Sequence, residues 1–200
     1  MKTIKTIFKP MNTRFFASML LCLTLVVSCS DDDDAPLPPN EEEVITDVTY
    51  TFVNDANAAD TVVLDFEDSD GPDGPNVPVL NVTGAFTAGA TYTATVEIFN
   101  SIEGEDITTE VVDEEPDEHF FIYATSLDMT FARAANDVVR TDGNSLGFET
   151  TWTANTAGMG TLTAQLWHES ESVDDSTNGG FGSQTGGEDD FDITWNIEIQ

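Results

Sequence analysis

From residue 44 onward, apolar and polar residues alternate with a period of two, and no stretch carries an apolar stripe at helical spacing. Alternate residues of a strand point to opposite faces of a sheet, so this pattern is that of strands with one wet and one dry face. Val48, Tyr50 and Phe52 share one face of a first strand, and Val62, Leu64 and Phe66 one face of a second. A short third covers about Val77 to Thr83. In a fourth, Tyr92, Ala94, Val96 and Ile98 alternate with Thr91, Thr93, Thr95 and Glu97. Further strands are read at 119–124, 128–133, 146–153 and 161–168. The last places Phe191, Ile193, Trp195, Ile197 and Ile199 against Asp192, Thr194, Asn196 and Glu198.

Turn clusters separate these runs: Gly71-Pro72-Asp73-Gly74, Gly84 and Gly89, Asp142-Gly143-Asn144, and Gly158 with Gly160. The interval 134–138 leaves room for one short helical turn. Eight or nine short strands at hairpin spacing predict an all-β domain, an antiparallel β-sandwich of immunoglobulin-like or related type, with a related barrel as the alternative. Two acidic segments, Asn100 to Glu118 and Glu169 to Asp190, are long for loops of a compact domain, and such loops are usually functional or disordered.

The domain is expected to span 44–200, behind two segments of other character. Lys2, Lys5, Lys9 and Arg14 precede the apolar run Phe15 to Val27, which is short for a bilayer span and has the form of an export signal over residues 1–28. Leu25-Val26-Val27-Ser28-Cys29 resembles a lipobox, which implies acylation of Cys29 and a lipid anchor in the membrane. Residues 29–43, with Asp31 to Asp34, a Pro-containing segment and Glu41 to Glu43, read as a self-repelling tether. An acidic run directly after the lipidated cysteine resembles the signal that sends lipoproteins of the Bacteroidota to the outer face of the outer membrane. That implies a lipid-anchored, cell-surface location.

Charge narrows the partners. All 38 acids but only two of the six bases, Arg133 and Arg140, lie after residue 28, for a formal charge of −36. Such a chain repels nucleic acid and anionic headgroups and attracts cations. Because Cys22 lies in the signal and Cys29 is lipidated, the folded part has neither a disulfide nor a thiolate ligand.

The two histidines of the chain stand beside the two long acidic loops. His119 opens a strand on the face of Phe121 and Tyr123. His168 closes another on the face of Leu162, Ala164 and Leu166. If the two strands run antiparallel, both imidazoles face inward at one rim of the sandwich. The flanking loops bring Glu114, Glu115, Asp117 and Glu118 to one, and Glu169, Glu171, Asp189 and Asp190 to the other. Imidazoles among carboxylates suit zinc, copper, nickel or iron, so His119, His168, Glu118 and Glu169 are the candidate ligands for zinc or copper. Two histidines that never meet, each capping its own strand, is the plainer alternative.

Asp68, Asp70 and Asp73, in an acidic turn, form a second candidate, for calcium. Prolines interrupt that turn and no bidentate glutamate follows, so a solvated acidic turn is the competing reading. Nothing points to an enzyme: no G-x-S-x-G elbow appears, and Gly179-Gly180-Phe181-Gly182 lies in an acidic loop that repels phosphate. Asn81-Val82-Thr83 matches a glycosylation sequon that is irrelevant to a bacterial lipoprotein. Trp167 and Trp152, read as edge aromatics, could stack on sugars.

Phe66-Glu67-Asp68-Ser69-Asp70-Gly71, Glu114 to Phe121, Asp142 to Gly147 and Leu166-Trp167-His168, together with the tether, resemble a set of uncharacterised outer-membrane lipoproteins of the Bacteroidota. Some of these carry the label "type 1 periplasmic binding fold superfamily". That label implies a two-lobed α/β protein and conflicts with the residues, because no strand alternates with an amphipathic helix. The chain is thus expected to be a surface-anchored, non-enzymatic protein that binds a divalent cation at an acidic rim, as an accessory to an outer-membrane transporter or another surface protein. A structural or adhesive module, or a carbohydrate-binding one, is the alternative.

Overall fold

The computed structural model describes residues 43–72 and 74–200. The export signal 1–28, Cys29, the acidic stretch to Glu42, and Asp73 lie outside the described residues. Glu41–Gln200 form one compact unit.

The described chain runs β1 (Asp47–Asn54), β2 (Asn57–Glu67), β3 (Val79–Thr83), β4 (Thr91–Asn100) and β5 (Glu105–Asp106), then a single turn of helix α1 (Ile107–Thr109) that widens into a π-helical turn (Glu110–Glu114). After it come β6 (His119–Thr125), β7 (Met129–Arg133), β8 (Thr150–Ala154), β9 (Gly158–His168), β10 (Ser172–Asp174), a 3-10 turn (Asn178–Gly180), β11 (Ser183–Thr185) and β12 (Glu188–Ile199). The larger sheet has the order β3-β2-β1-β4-β8-β7, with β5 added to β4, and the smaller has the order β12-β9-β6. β10 and β11 pair as a hairpin. All strand pairs are antiparallel, and both principal sheets are open paths, which sets the barrel alternative aside.

The period-two pattern of the sequence is the burial pattern of the sandwich. Val48, Tyr50 and Phe52 of β1, Tyr92, Ala94, Val96 and Ile98 of β4, and Phe191, Ile193, Trp195, Ile197 and Ile199 of β12 are all buried in one core. Aromatic rings join the two sheets across it. Tyr50 meets Tyr123 and Trp195 edge-on at centroid distances of 6.1 and 5.8 Å. Trp195 Nε1 donates to the Asp65 carbonyl at 2.8 Å, so the indole spends its one polar atom on the opposite sheet.

Three differences from the pattern-based reading have local causes. Twelve strands occur among the described residues instead of eight or nine, because β5, β10 and β11 are two or three residues long and too short to show alternation. The segment 134–138 is a turn, not a helix. The Asp137 amide donates to the Ala134 carbonyl at 3.1 Å, and the Asp137 carboxylate accepts the amides of Gly147 and Glu149 at 2.6 and 2.9 Å. The helical turn lies instead at 107–114, where Ile107 and Val111, four residues apart, are the buried anchors. Among the described residues no helix is long and apolar enough to cross a membrane.

Phe52 packs against Phe86 and Trp152, with ring centroids at 5.1 and 6.1 Å, and is wholly enclosed. Phe52→Ala is expected to lower the unfolding free energy by about 3–5 kcal/mol, from lost transfer energy plus a cavity. On the outward face of β4, the exposed Thr95 predicts a change within about 0.5 kcal/mol for Thr95→Ala. Urea denaturation of the two variants tests the assignment of faces.

Candidate metal centre

Three adjacent strands of the smaller sheet set the site. His119 and His168 are direct cross-strand partners in the antiparallel β6–β9 pair, so strand pairing alone brings the imidazoles together. Their rings stack nearly parallel, 4.7 Å between centroids and 7° between planes, and both residues are buried.

The third ligand comes from an irregularity. Along β12, Phe191 pairs with Leu166 and Asp189 with Trp167, and the register shifts between them. Asp190 is the extra residue of a β-bulge, a device that re-aims a side chain. Regular alternation would place Asp190 on the wet face with Asp192. The bulge turns it inward, and its carboxylate is fully enclosed beside both histidines.

The fourth comes from the other sheet. Glu43, four residues ahead of β1, reaches across to the histidines with its side chain only 4% exposed. Read from sequence as the last residue of the tether, it belongs to the folded unit, because two buried imidazoles hold its carboxylate.

Four side chains thereby converge. His119 Nε2 lies 3.2 Å from Glu43 Oε1 and 3.7 Å from Asp190 Oδ2, and His168 Nδ1 lies 3.6 Å from Glu43 Oε2 and 3.7 Å from Asp190 Oδ1. One atom from each residue fits within a sphere of influence where no two are more than 4.8 Å apart. A zinc ion with ligands at about 2.0–2.1 Å needs tetrahedral edges of about 3.3 Å. One of the four approaches is already within that edge and the other three exceed it by a few tenths of an ångström.

The surroundings of His119 fix which nitrogen faces inward. Its Nδ1 lies 3.0 Å from the Glu115 carbonyl, which can only accept, so Nδ1 carries the proton and Nε2 turns to the carboxylates. A backbone carbonyl on the far nitrogen is the usual support of a metal-bound imidazole. The Glu115 carbonyl is presented by the π-helical turn, in which the Glu115 amide donates to the Glu110 carbonyl at 2.8 Å. Arg140 then donates to the carbonyls of Pro116 and His119, holding the turn and the start of β6 together.

Charge makes the arrangement informative. With His119 neutral, its Nε2 lone pair would face two enclosed carboxylates, a costly set in a low-dielectric interior. Although shielded from water, Glu43 Oε1, Glu43 Oε2 and His119 Nε2 make no aligned hydrogen bond among the described residues. A divalent cation, or protons on the imidazoles, cancels the charge. Burial pushes the His119 pKa down, but the close Glu43 carboxylate, the Glu115 carbonyl and Asp190 outweigh it and hold it above the usual imidazole value. Burial pushes Glu43 up, and the same contact with His119 outweighs it, for a net lowering.

Of the residues singled out from sequence, His119, His168 and Glu118 are brought together. Glu118 Oε2 lies 3.7 Å from His168 Nε2, on the opposite side of that ring from Glu43. Glu169 is not at the centre. It is exposed, and its φ of 48° turns the chain away, while its amide donates to the Glu118 carbonyl at 2.8 Å. Glu43 and Asp190 take the expected place of Glu169. Of the calcium candidates, Asp70 Oδ2 accepts both nitrogens of Asn76, at 3.2 and 2.8 Å, and neither Asp68 nor Asp70 joins a group of three ligands among the described residues. Asp73 lies outside the described residues. Trp152, read as an edge aromatic, is buried in the core, while Trp167 is half-buried with Nε1 directed at Gln165 Oε1.

Compared with known proteins, the chain matches no family model, no curated protein and no solved structure.

The raised His119 pKa has a signed consequence for the metal-free protein. The folded chain keeps a proton that the unfolded chain releases near 6.5, so this contribution is complete below that value and is lost as pH rises through the folded value. The lowered Glu43 pKa acts in the opposite sense. Its contribution is present above 4.5 and is lost as pH falls through the folded value. Chelator-treated protein is expected to lose unfolding free energy as pH rises above 6.5, and His119→Gln to lose less over the same rise, as measured by urea melts.

Proposed function

We propose that this chain is a non-enzymatic binding protein that holds one divalent transition-metal ion, zinc in preference to copper, between Glu43, His119, His168 and Asp190. The single observation that carries this reading is the convergence of four enclosed side chains, two imidazoles and two carboxylates, with one donor atom from each within 4.8 Å of the others. Tetrahedral nitrogen and oxygen sets suit zinc, whereas divalent copper favours a tetragonal arrangement. Four protein ligands fill a tetrahedral shell and leave no open position for a substrate water, which suits a structural or storage ion rather than a catalytic one.

The ion would act as a clip. Glu43 precedes the first strand of the larger sheet, and the other three ligands stand on the smaller sheet, so metal binding stabilises their closure at one end of the sandwich. In a domain without disulfides this is a substantial addition. The address completes the reading. Cys29 would carry the lipid and the acidic stretch after it would direct the protein to the outer surface, where an acidic cation-binding domain could serve an outer-membrane uptake system.

Protein from residue 30 onward should bind zinc at micromolar or tighter affinity in competition with a chromophoric chelator. Asp190→Asn and the pair His119→Ala with His168→Ala should weaken binding by at least about a hundredfold, while Glu169→Gln leaves it unchanged. At free zinc a hundredfold above Kd, the unfolding free energy should rise by about 2.7 kcal/mol. Undiminished binding in the histidine variant would remove the site.

A further inference from the structure

Each principal sheet of the sandwich ends in two edge strands, and an edge left open is a template for pairing with another extended segment. Three of the four edges are guarded. The amides of Phe121 and Tyr123 in β6 donate to the carbonyls of Leu146 and Phe181 at 3.0 and 3.2 Å. β12 is covered at its end by Phe86, whose amide donates to the Glu198 carbonyl at 2.9 Å, and it presents exposed Asp192 and Glu198. β7 runs from beside Asp128 to Arg133, and charges at an edge oppose pairing. β3 differs. It pairs with β2 alone, and it lies within a run from Gly74 to Val96 that carries no charge, in a chain with 38 acids.

Apolar side chains are exposed along this edge. Val79 and Leu80 are 60% and 49% exposed, and Met159, near the start of β9 in the facing sheet, is 82% exposed. Val82, Gly84, Met159 and Ile197 line much of a hollow of about 530 Å³ beside β3, with Glu198 as its one acid.

We propose that β3 is a self-association edge, to which a second copy of this chain adds its own β3 in antiparallel pairing about a two-fold axis. The segment itself selects that occupant. Pro78 has no amide to give to a ladder, and Gly84, at a φ of 89°, ends the extended run after Thr83. The pairing segment is therefore Val79–Thr83, and only one antiparallel register overlaps all five residues with those of a copy. In that register Asn81 meets Asn81 on the axis, Leu80 meets Val82 twice, and Val79 meets Thr83 twice. Amide faces amide and apolar faces apolar, the self-complementarity that an isologous contact needs. Leu80 of the second copy arrives opposite Val82, beside the hollow. Neutrality matters as much. Two domains of charge −36 repel one another over most of their surfaces, and the contact falls on a strand that carries none. One strand with its flanking side chains makes a contact smaller than the roughly 1,200–2,000 Å² of stable complexes, so the association is weak and reversible.

The test uses the full chain with Cys22→Ser and Cys29→Ser, in excess detergent and with chelator present, so that bound metal plays no part. Residues directly opposite one another on antiparallel strands have Cα atoms about 4.5–5.5 Å apart, close enough for a disulfide, whereas the two copies of residue 79 would stand about 13 Å apart. Asn81→Cys should therefore oxidise to a disulfide-linked dimer at least tenfold faster than Val79→Cys. Sedimentation velocity of the parent, at concentrations up to the millimolar range, should show a monomer–dimer equilibrium. Asn81→Lys should weaken it at least tenfold, while Thr95→Lys, on the exposed outward face of β4, leaves it unchanged. Equal rates for the two cysteine variants, a parent that sediments as a monomer throughout, or a dimer that Asn81→Lys leaves intact would each overturn the proposal.

Discussion

The structure depends on burying one face of each strand between two sheets that no covalent bond joins. With no cysteine in the folded part, the closure of the sandwich rests on side chains that cross it. Tyr50, Tyr123 and Trp195 form that crossing at the centre, with the Trp195 indole bonded to the Asp65 carbonyl. These rings contribute large apolar area, and their polar atoms find partners without opening the core to water. The candidate ligands His119, His168 and Asp190 stand on strands that this packing holds together.

The centre at the end of the sandwich uses the opposite physics. Two carboxylates and two imidazoles are taken out of water, which is unfavourable unless their charges are balanced. In the metal-free state the His119–Glu43 contact supplies part of that balance by holding a proton. In the proposed metal-bound state a divalent ion would supply all of it and draw the two sheets together. On that proposal proton and metal would compete for one arrangement, and the enclosure that makes the free site costly would make the filled one stable. The Glu115 carbonyl behind His119, and Arg140 behind that, hold the imidazole in position for either partner.

Legibility in the sequence followed periodicity. The long strands were readable from Val48-Tyr50-Phe52, from Tyr92 to Ile98 and from Phe191 to Ile199, because each alternates over enough residues to assign a dry face. That His119 and His168 would share a rim if their strands paired was readable as well, since one opens its strand and the other closes its own on inward-facing positions; that these strands do pair came from the sheet order. Asp190 was not. Its parity with Asp192 marks it as outward, and only the bulge between Asp189 and Phe191 reverses that. Glu43 was hidden by composition, as the last of a run of acids. Glu169 was favoured by adjacency to His168, yet β9 ends at His168 and the positive φ of Glu169 turns the chain away.

Alternation and turn chemistry, both local properties, were enough to determine an all-β antiparallel domain with each histidine at a strand end on an inward-facing position. Which carboxylates join them depended on a register shift in β12 and on a residue ahead of β1 crossing from one sheet to the other. Neither leaves a periodic trace, because both arise from contacts between segments far apart in the chain, and those distances exist only once the sheets have closed.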